Sequence, residues 1–263
     1  MINNSKISII ITTFNKEQFI KKTIKSCLNQ TYNNFEIIIV DTGSTDSTKN
    51  IVNIFKSKKI KKIFLNRKFN SSPLNQIYAI RKALQSSEGE LICLLDGDDF
   101  FHSNKLNEIN NIFNKDRKIC FVQDIIKIRK ENKLINFDVN RKPLFFEVWP
   151  KFYPTSSMSV RKNYLKNFFK FDKMSYDLLE IDFRLYFYSL YKSKNSFFLN
   201  RVLTYYSVDN FGISSKFVKF SRTWFKKRFQ AHEYLKNIIL KKSYPYKIDR
   251  FLTSLIMRIL SIF

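Results

Sequence analysis

Glycine is scarce, with four residues in 263, and that excludes several nucleotide-binding classes. Neither the G-x-G-x-x-G of a dehydrogenase nor the G-x-x-x-x-G-K-[ST] of a phosphate-loop ATPase occurs. A nucleotidyltransferase ordinarily follows its first strand with a glycine-rich phosphate loop, and here "TTFNKEQF" has no glycine. Cysteine is scarce too. Cys27, Cys93 and Cys120 are an odd set, far apart and without metal-ligand spacing, and are read as reduced core thiols. No apolar run approaches the roughly 20 residues that span a bilayer. The start, "MINNSKISIIITTFN", lacks the basic start, apolar stretch and cleavage site of a secretory signal, so a cytoplasmic protein is expected. Acidic residues are the last shortage, 22 against 47 Lys and Arg, for a formal charge of +25 that suits a polyanionic partner or surface.

What is present is enough for a folded core: 44% apolar and 16% aromatic residues. Over the first hundred residues, short β-branched runs alternate with segments of helical spacing, the pattern of βαβ units and a mostly parallel sheet. "ISIIIT" (7–12), "FEIIIV" (35–40), "KKIFL" (61–65) and "ELICLL" (90–95) read as strands. Asn15 and Gln18 form a candidate capping box for a helix whose Phe19, Ile20, Ile24, Cys27 and Leu28 share a face. Helices are also expected from "STDSTKNIVNIF" and Leu74–Ser86. Beyond residue 106, "KICFVQDIIKIRKENKLINF" reads as a strand or hairpin, "PTSSMSV" as a strand before a helix, and "DLLEIDFRLYFYSLY" as a helix.

Ligands of open α/β sheets bind beyond the carboxyl ends of the strands. Thr12, Thr13, Asp41, Asp96 and Asp98 would gather there if the four strands are parallel neighbours. The buried run "ELICLL" ends in Asp96, Asp98 and Asp99 around Gly97. Two carboxylates at i and i+2 on a turn can grip a divalent cation, since magnesium and manganese take one or two protein carboxylates and complete their shell with water and phosphate oxygens. A plain strand-to-helix turn is the competing use of such a pair.

"ISIIITTFNKEQFIKKTIKSCLNQTY", "FEIIIVDTGSTDST" and "GELICLLDGDDFF...KL", in order over residues 7–106, resemble the family 2 glycosyltransferases. The match resumes at "PTSSMSVRKNYL" and at "EIDFRL" (180–185), which resembles the family's acceptor-side acidic motif. The resemblance implies the GT-A fold, a nucleotide-sugar donor such as a UDP-sugar, an Mn2+ or Mg2+ ion, inversion at the anomeric carbon, and a glycan or lipid-linked acceptor in cell-surface polysaccharide synthesis. It places Thr12 and Phe14 at the nucleoside, with Phe14 against the base, and Asp41 on the base or ribose. Asp98 is then the first metal ligand, with Asp96 near the ribose or the metal, and Asp182 is the general base. Thr42 stands where the family often has a second Asp, so a second nucleoside hydrogen bond is not carried over. Arg81 stands where it often has Asn; it is a candidate for the pyrophosphate, beside the competing use of a solvated helix face.

Glu180 is a second candidate base. Two residues of helix would turn it well away from Asp182, so only one of the two is expected to face the acceptor. His102 could approach the metal or sit at a helix start, and His232 receives no role. Trp149 and Phe152 could form a platform for an acceptor sugar or pack in the core.

The chain is expected to divide into a catalytic domain over 1–215, with halves 1–106 and 107–215, and a basic helical extension over 216–263. That extension carries twelve Lys and Arg against Glu233 and Asp249, interleaved with aromatic residues. A nucleic-acid-binding protein would explain the extension but not the cleft carboxylates, which would repel phosphates, so no nucleic acid is expected. "KIDRFLTSLIMRILSIF" (247–263) instead suits an anionic membrane surface, with packing on the catalytic domain or on a second copy in a homo-oligomer as the competing use.

Overall fold

A computed structural model describes residues 4–130, 133–136, 150–193, 195–207, 218–239 and 244–260. Four strands, β1 (Ile7–Thr13), β2 (Phe35–Asp41), β3 (Ile60–Phe64) and β4 (Leu91–Asp96), pair in parallel in the order β3-β2-β1-β4. The helices α1 (Ile20–Leu28), α2 (Thr48–Ile54) and α3 (Ser72–Ser86) connect them. The three inner strands β1, β2 and β4 read as largely apolar runs because both faces of the sheet are covered there, whereas the edge strand β3 (IKKIF) is only half-buried. Ile7, Ile9 and Ile11 pack with Ile24 and Cys27 of α1, and with Leu106, Ile109 and Phe113 of α4 (Lys105–Lys115). On the opposite face Ile10, Ile38, Val40 and Leu94 meet Ile77 and Ile80 of α3, and Leu165 and Phe168 of α5 (Lys162–Phe171).

The sheet continues past β4 through β8 (Met158–Arg161), β6 (Phe121–Lys130) and β9 (Ser196–Ser207) to β5 (Phe100–Phe101), and β7 (Lys133–Asn136) pairs with β6. Here β8 runs antiparallel to both β4 and β6, β9 runs parallel to β6, and β6 and β7 form the hairpin suggested by the sequence. Three helices complete the described chain: α6 (Ile181–Tyr188), α7 (Arg222–Ile238) and α8 (Lys247–Leu260). Leu179, Phe183 and Phe187 share a core with Ala231, Tyr234 and Leu235, so α7 is packed onto α6.

The capping box expected at Asn15 and Gln18 is not formed. The first helix begins at Ile20, and Asn15 adopts a positive φ of 51°. The donors of residues 15–17 are taken up instead by the loop after β2. Asn15 N donates to Ser44 Oγ, Lys16 N to Thr48 Oγ1 and Glu17 N to Asp46 Oδ2 at 2.9, 2.7 and 3.1 Å, and Asn15 Oδ1 accepts from Thr45 N at 2.8 Å. A long-range loop-to-loop contact has displaced the local one.

Candidate functional site

The strand register assembles the rim. Thr12 stands beside Asp96 and Thr13 beside Asp41, so β1, β2 and β4 end together. The turn after β4 then requires glycine by close approach. Gly97 N donates to Thr12 O at 2.9 Å, and a Cβ at Gly97 would lie 2.6 Å from Thr13 Oγ1. Of the turn's three carboxylates, Asp99 points inward. It is fully buried and accepts from Ser207 N at 2.8 Å and from Ser156 Oγ at 2.5 Å. Ser156 Oγ also accepts from Asp96 N at 3.0 Å. Behind the turn lies Lys105, wholly buried, whose ammonium donates to Asp124 at 2.6 Å, Thr204 Oγ1 at 2.7 Å and Ser156 O at 2.9 Å. Asp99 therefore anchors the turn, leaving Asp96 and Asp98 for the open side.

That open side is a cleft of about 770 Å³. Thr12, Phe14, Asp96, Asp98, Glu180 and Asp182 all line it. Asp96 Oδ1 accepts from Gln76 Nε2 at 2.6 Å and from Thr12 Oγ1 at 3.3 Å. Burial and the neighbouring Asp98 push Asp96 up to about 7. Asp98 Oδ2 lies 2.6 Å from the Lys16 ammonium. Phe14 is half-buried, with the Arg67 guanidinium 4.2 Å from its ring centroid.

Across the cleft, Asp182 stands in the first turn of α6 and accepts from Phe183 N at 2.6 Å. Burial, and then the charge of Glu180, raise it to about 7. The expectation that Glu180 turns away from Asp182 is corrected. Glu180 is the N-cap residue, with an extended ψ of 158°, so helical rotation does not separate the pair. Its carboxylate meets Lys227 of α7 at 2.5 Å. The segment before α6 is held by Arg184, fully buried, which pairs with Asp172 at 2.9 Å and donates to Leu179 O at 3.1 Å.

Two other candidate residues lie outside the cleft lining among the described residues. Asp41 lies at the rim, but it is 2% exposed and absent from the cleft lining among the described residues. Its carboxylate accepts from Gly43 N and Ser44 N, at 3.1 and 3.0 Å, and from Ser44 Oγ. Gly43 has φ +83°, the left-handed conformation that glycine adopts without steric cost, and this lets the loop curl back over the carboxylate. Arg81 is away from the cleft: it donates to Phe169 O at 3.1 Å and Asp172 O at 2.7 Å and stacks on Phe169. Its guanidinium, still partly exposed, is held by the end of α5.

His102 takes the helix-start role, its Nδ1 accepting from Asn104 N at 3.2 Å. Phe152 does two things, lining the cleft and stacking on Tyr186 with centroids 5.0 Å apart. Trp149 lies outside the described residues. Cleft residues that the sequence reading missed include Lys16, Arg67, Gln76, Tyr206 and Lys227. Gln76 stands near the start of α3, the end that faces the strand carboxyl ends, and that position is the signal that could have favoured it.

Among the described residues, no group of three or more His, Cys, Asp or Glu side chains is arranged to hold a metal. The cleft does offer two adjacent carboxylates, one raised by the other. That donor set fits a hard divalent cation whose remaining ligands come from water and a diphosphate. It does not fit a closed structural site.

Fold and cleft together define an α/β protein whose cleft, at the carboxyl ends of parallel strands, is lined by Asp96 and Asp98 after β4 and by Glu180 and Asp182 at the start of α6. The model of glycosyl transferase family 2 matches residues 8–219, and the chain belongs to that family. A UDP-Glc:alpha-D-GlcNAc-diphosphoundecaprenol beta-1,3-glucosyltransferase of Escherichia coli is 35% identical over 126 residues, which cover 48% of this chain and 47% of that protein. The chain spans about half the length of the curated relatives it matches, or less. Staphylococcus aureus TarS 1–349 with UDP-GlcNAc superposes with a TM-score of 0.65 and 19% identity, covering 96% of this chain and 70% of that one. A Pyrobaculum calidifontis mannosyltransferase with GDP-Man and Mn2+ gives a TM-score of 0.59 and 15% identity, covering 87% and 62%. These likenesses bear out the GT-A fold.

Proposed function

We propose that the cleft binds a nucleoside diphosphate sugar, a UDP-sugar by preference, and transfers the sugar with inversion to a hydroxyl of a glycan or lipid-linked acceptor in polysaccharide synthesis. The observation that carries this reading is the convergence of Thr12, Phe14, Asp96, Asp98, Glu180 and Asp182 on one cleft. The UDP-GlcNAc held by TarS and the diphosphoundecaprenol acceptor in the relative's name support the choice of donor and acceptor class.

In this reading Phe14 offers its ring to the base, and Thr12 and Gln76 fix the Asp96 carboxylate in place. Asp96 and Asp98 are the residues that would hold Mn2+ or Mg2+. The ion, when bound, supplies Lewis-acid neutralisation of the charge that grows on the departing diphosphate. The bond between the anomeric carbon and the phosphate oxygen breaks, and its electron pair leaves with the nucleoside diphosphate. The acceptor oxygen forms its new bond from the opposite face and gives its proton to Asp182. A carboxylate whose pKa lies near the working pH is well matched to that task. Lys16 holds the Asp98 carboxylate at 2.6 Å. The catalytic unit is assigned to residues 1–215, and the extension from 216 reaches the site through Lys227.

A thermal-shift series with UDP, GDP and dTDP, each with and without Mn2+, tests the reading. The expected result is a manganese-dependent rise in melting temperature with UDP, lost in Asp98→Asn. No rise with any of the three, in either condition, would overturn it.

A further inference from the structure

One face of α8 is fixed by charge. Asp249 accepts from Arg228 Nε at 3.0 Å and pairs with His232 at 2.6 Å, Arg250 lies 3.4 Å from Glu233, and Thr253 is buried against the fold. These residues cluster on one side of the helix at about 100° per residue. The opposite side is apolar and open. Ile248, Phe251, Leu252, Leu255 and Ile259 recur at i, i+3, i+4, i+7 and i+11, and their exposures run from 45% to 79%. Exposed Lys247 and Arg258 border this stripe along one edge.

We propose that this stripe is a membrane-seating surface, which lies in the headgroup region of a bilayer bearing anionic lipid. Shape, charge and length favour such a surface. The stripe is continuous along the helix, whereas monomeric proteins ordinarily scatter their exposed apolar side chains. Its border is basic, and the segment 216–263 has twelve cationic residues against two anionic ones, which matches an anionic surface and opposes close self-association of two such faces. The helix has 14 residues, about 21 Å at 1.5 Å per residue, too short for a hydrocarbon core of about 30 Å. Among the described residues no helix is long and apolar enough to cross a membrane. The ion pairs on its inner face hold the stripe outward, so it lies on the bilayer as a prebuilt ridge. The helix beneath it, α7, pairs with α8 through Arg228–Asp249 and carries Lys227 into the cleft, so one helix contacts both the stripe's helix and the cleft.

Sedimentation of the full chain with phosphatidylglycerol-containing vesicles, and with pure phosphatidylcholine vesicles, tests this without donor or acceptor and so independently of the transfer reaction. The expected result is binding to the anionic vesicles that weakens with salt and falls about tenfold or more in Phe251→Asp/Leu255→Asp. Both positions are exposed, so the variant should keep the native melting temperature. Lys247→Gln/Arg258→Gln should lower the preference for anionic lipid while keeping some binding. Failure of the native chain to sediment with either vesicle overturns the proposal, as does equal binding by the aspartate variant. A native dimer that the aspartate variant splits, without vesicle binding, also overturns it and assigns the stripe to a second copy.

Discussion

The Lys227 ammonium of α7 lies 2.5 Å from the Glu180 carboxylate at the start of α6, and both side chains line the cleft. A residue beyond the family-matched stretch thus holds one of the two acidic groups that share the cleft with Asp96 and Asp98. Lys227→Met leaves Glu180 half-buried and uncompensated beside Asp182. We expect acceptor transfer to fall about tenfold, equivalent to about 1.4 kcal/mol, with UDP affinity unchanged; steady-state transfer rates and calorimetry read the two separately.

Asp182→Asn removes the proposed proton acceptor and leaves the nucleotide wall intact. Transfer should fall on the order of 10²- to 10⁴-fold, while the UDP-dependent rise in melting temperature persists. Loss of both together would mean that Asp182 supports the fold.

The pH profile follows from the same pair. Asp182 is raised to about 7, so it is protonated below that pH and cannot accept a proton there. Transfer should therefore decline as pH falls through about 7. Glu180→Gln removes the neighbouring negative charge that helps raise Asp182, and the acid limb should move to lower pH; an unmoved limb assigns it to another group. Because Asp182 is raised on folding, its contribution to stability is full at low pH and is lost as pH rises from the unfolded value towards about 7, the window in which the unfolded chain ionises and the folded one does not.

Gly97→Ala places a Cβ 2.6 Å from Thr13 Oγ1 and 3.2 Å from Thr12 O. Backbone and side chain must both give way, at a cost of about 1–3 kcal/mol. Denaturant midpoints should show that loss, and nucleotide affinity should fall with it because the turn carries Asp96 and Asp98.

Lys105→Met leaves Asp124 buried without its cation. Removing one partner of a fully buried pair costs about 3–5 kcal/mol, so a large drop in melting temperature is expected. Its double variant with Asp124→Leu should recover part of that drop, since the uncompensated charge is then gone as well.

Much of this was legible in the chain. The runs at 7–12, 35–40 and 90–95 read as strands covered on both faces, and parallel pairing brings Thr12 and Thr13 beside Asp96 and Asp41 at one sheet rim. Periodicity and turn chemistry are local, so they were enough for the βαβ half and for the pairing of Asp96 with Asp98. The direction of Asp41's carboxylate was not local in the same way. It depends on a left-handed Gly43 and on Ser44 offering nearer donors than the cleft does. Arg81 looked free on its helix because α5, which claims it, lies some ninety residues further along.

The sequence by itself determined which residues could make strands, which carboxylates would stand at their ends, and how much basic charge the last helices carry. Tertiary structure alone decided that Glu180 sits outside its helix and beside Asp182, that Lys227 enters the cleft, and which side of α8 faces outward. The reason is physical: each of those outcomes is set by a partner distant in the chain, whose charge or bulk outweighs local preferences of a few tenths to about one kcal/mol.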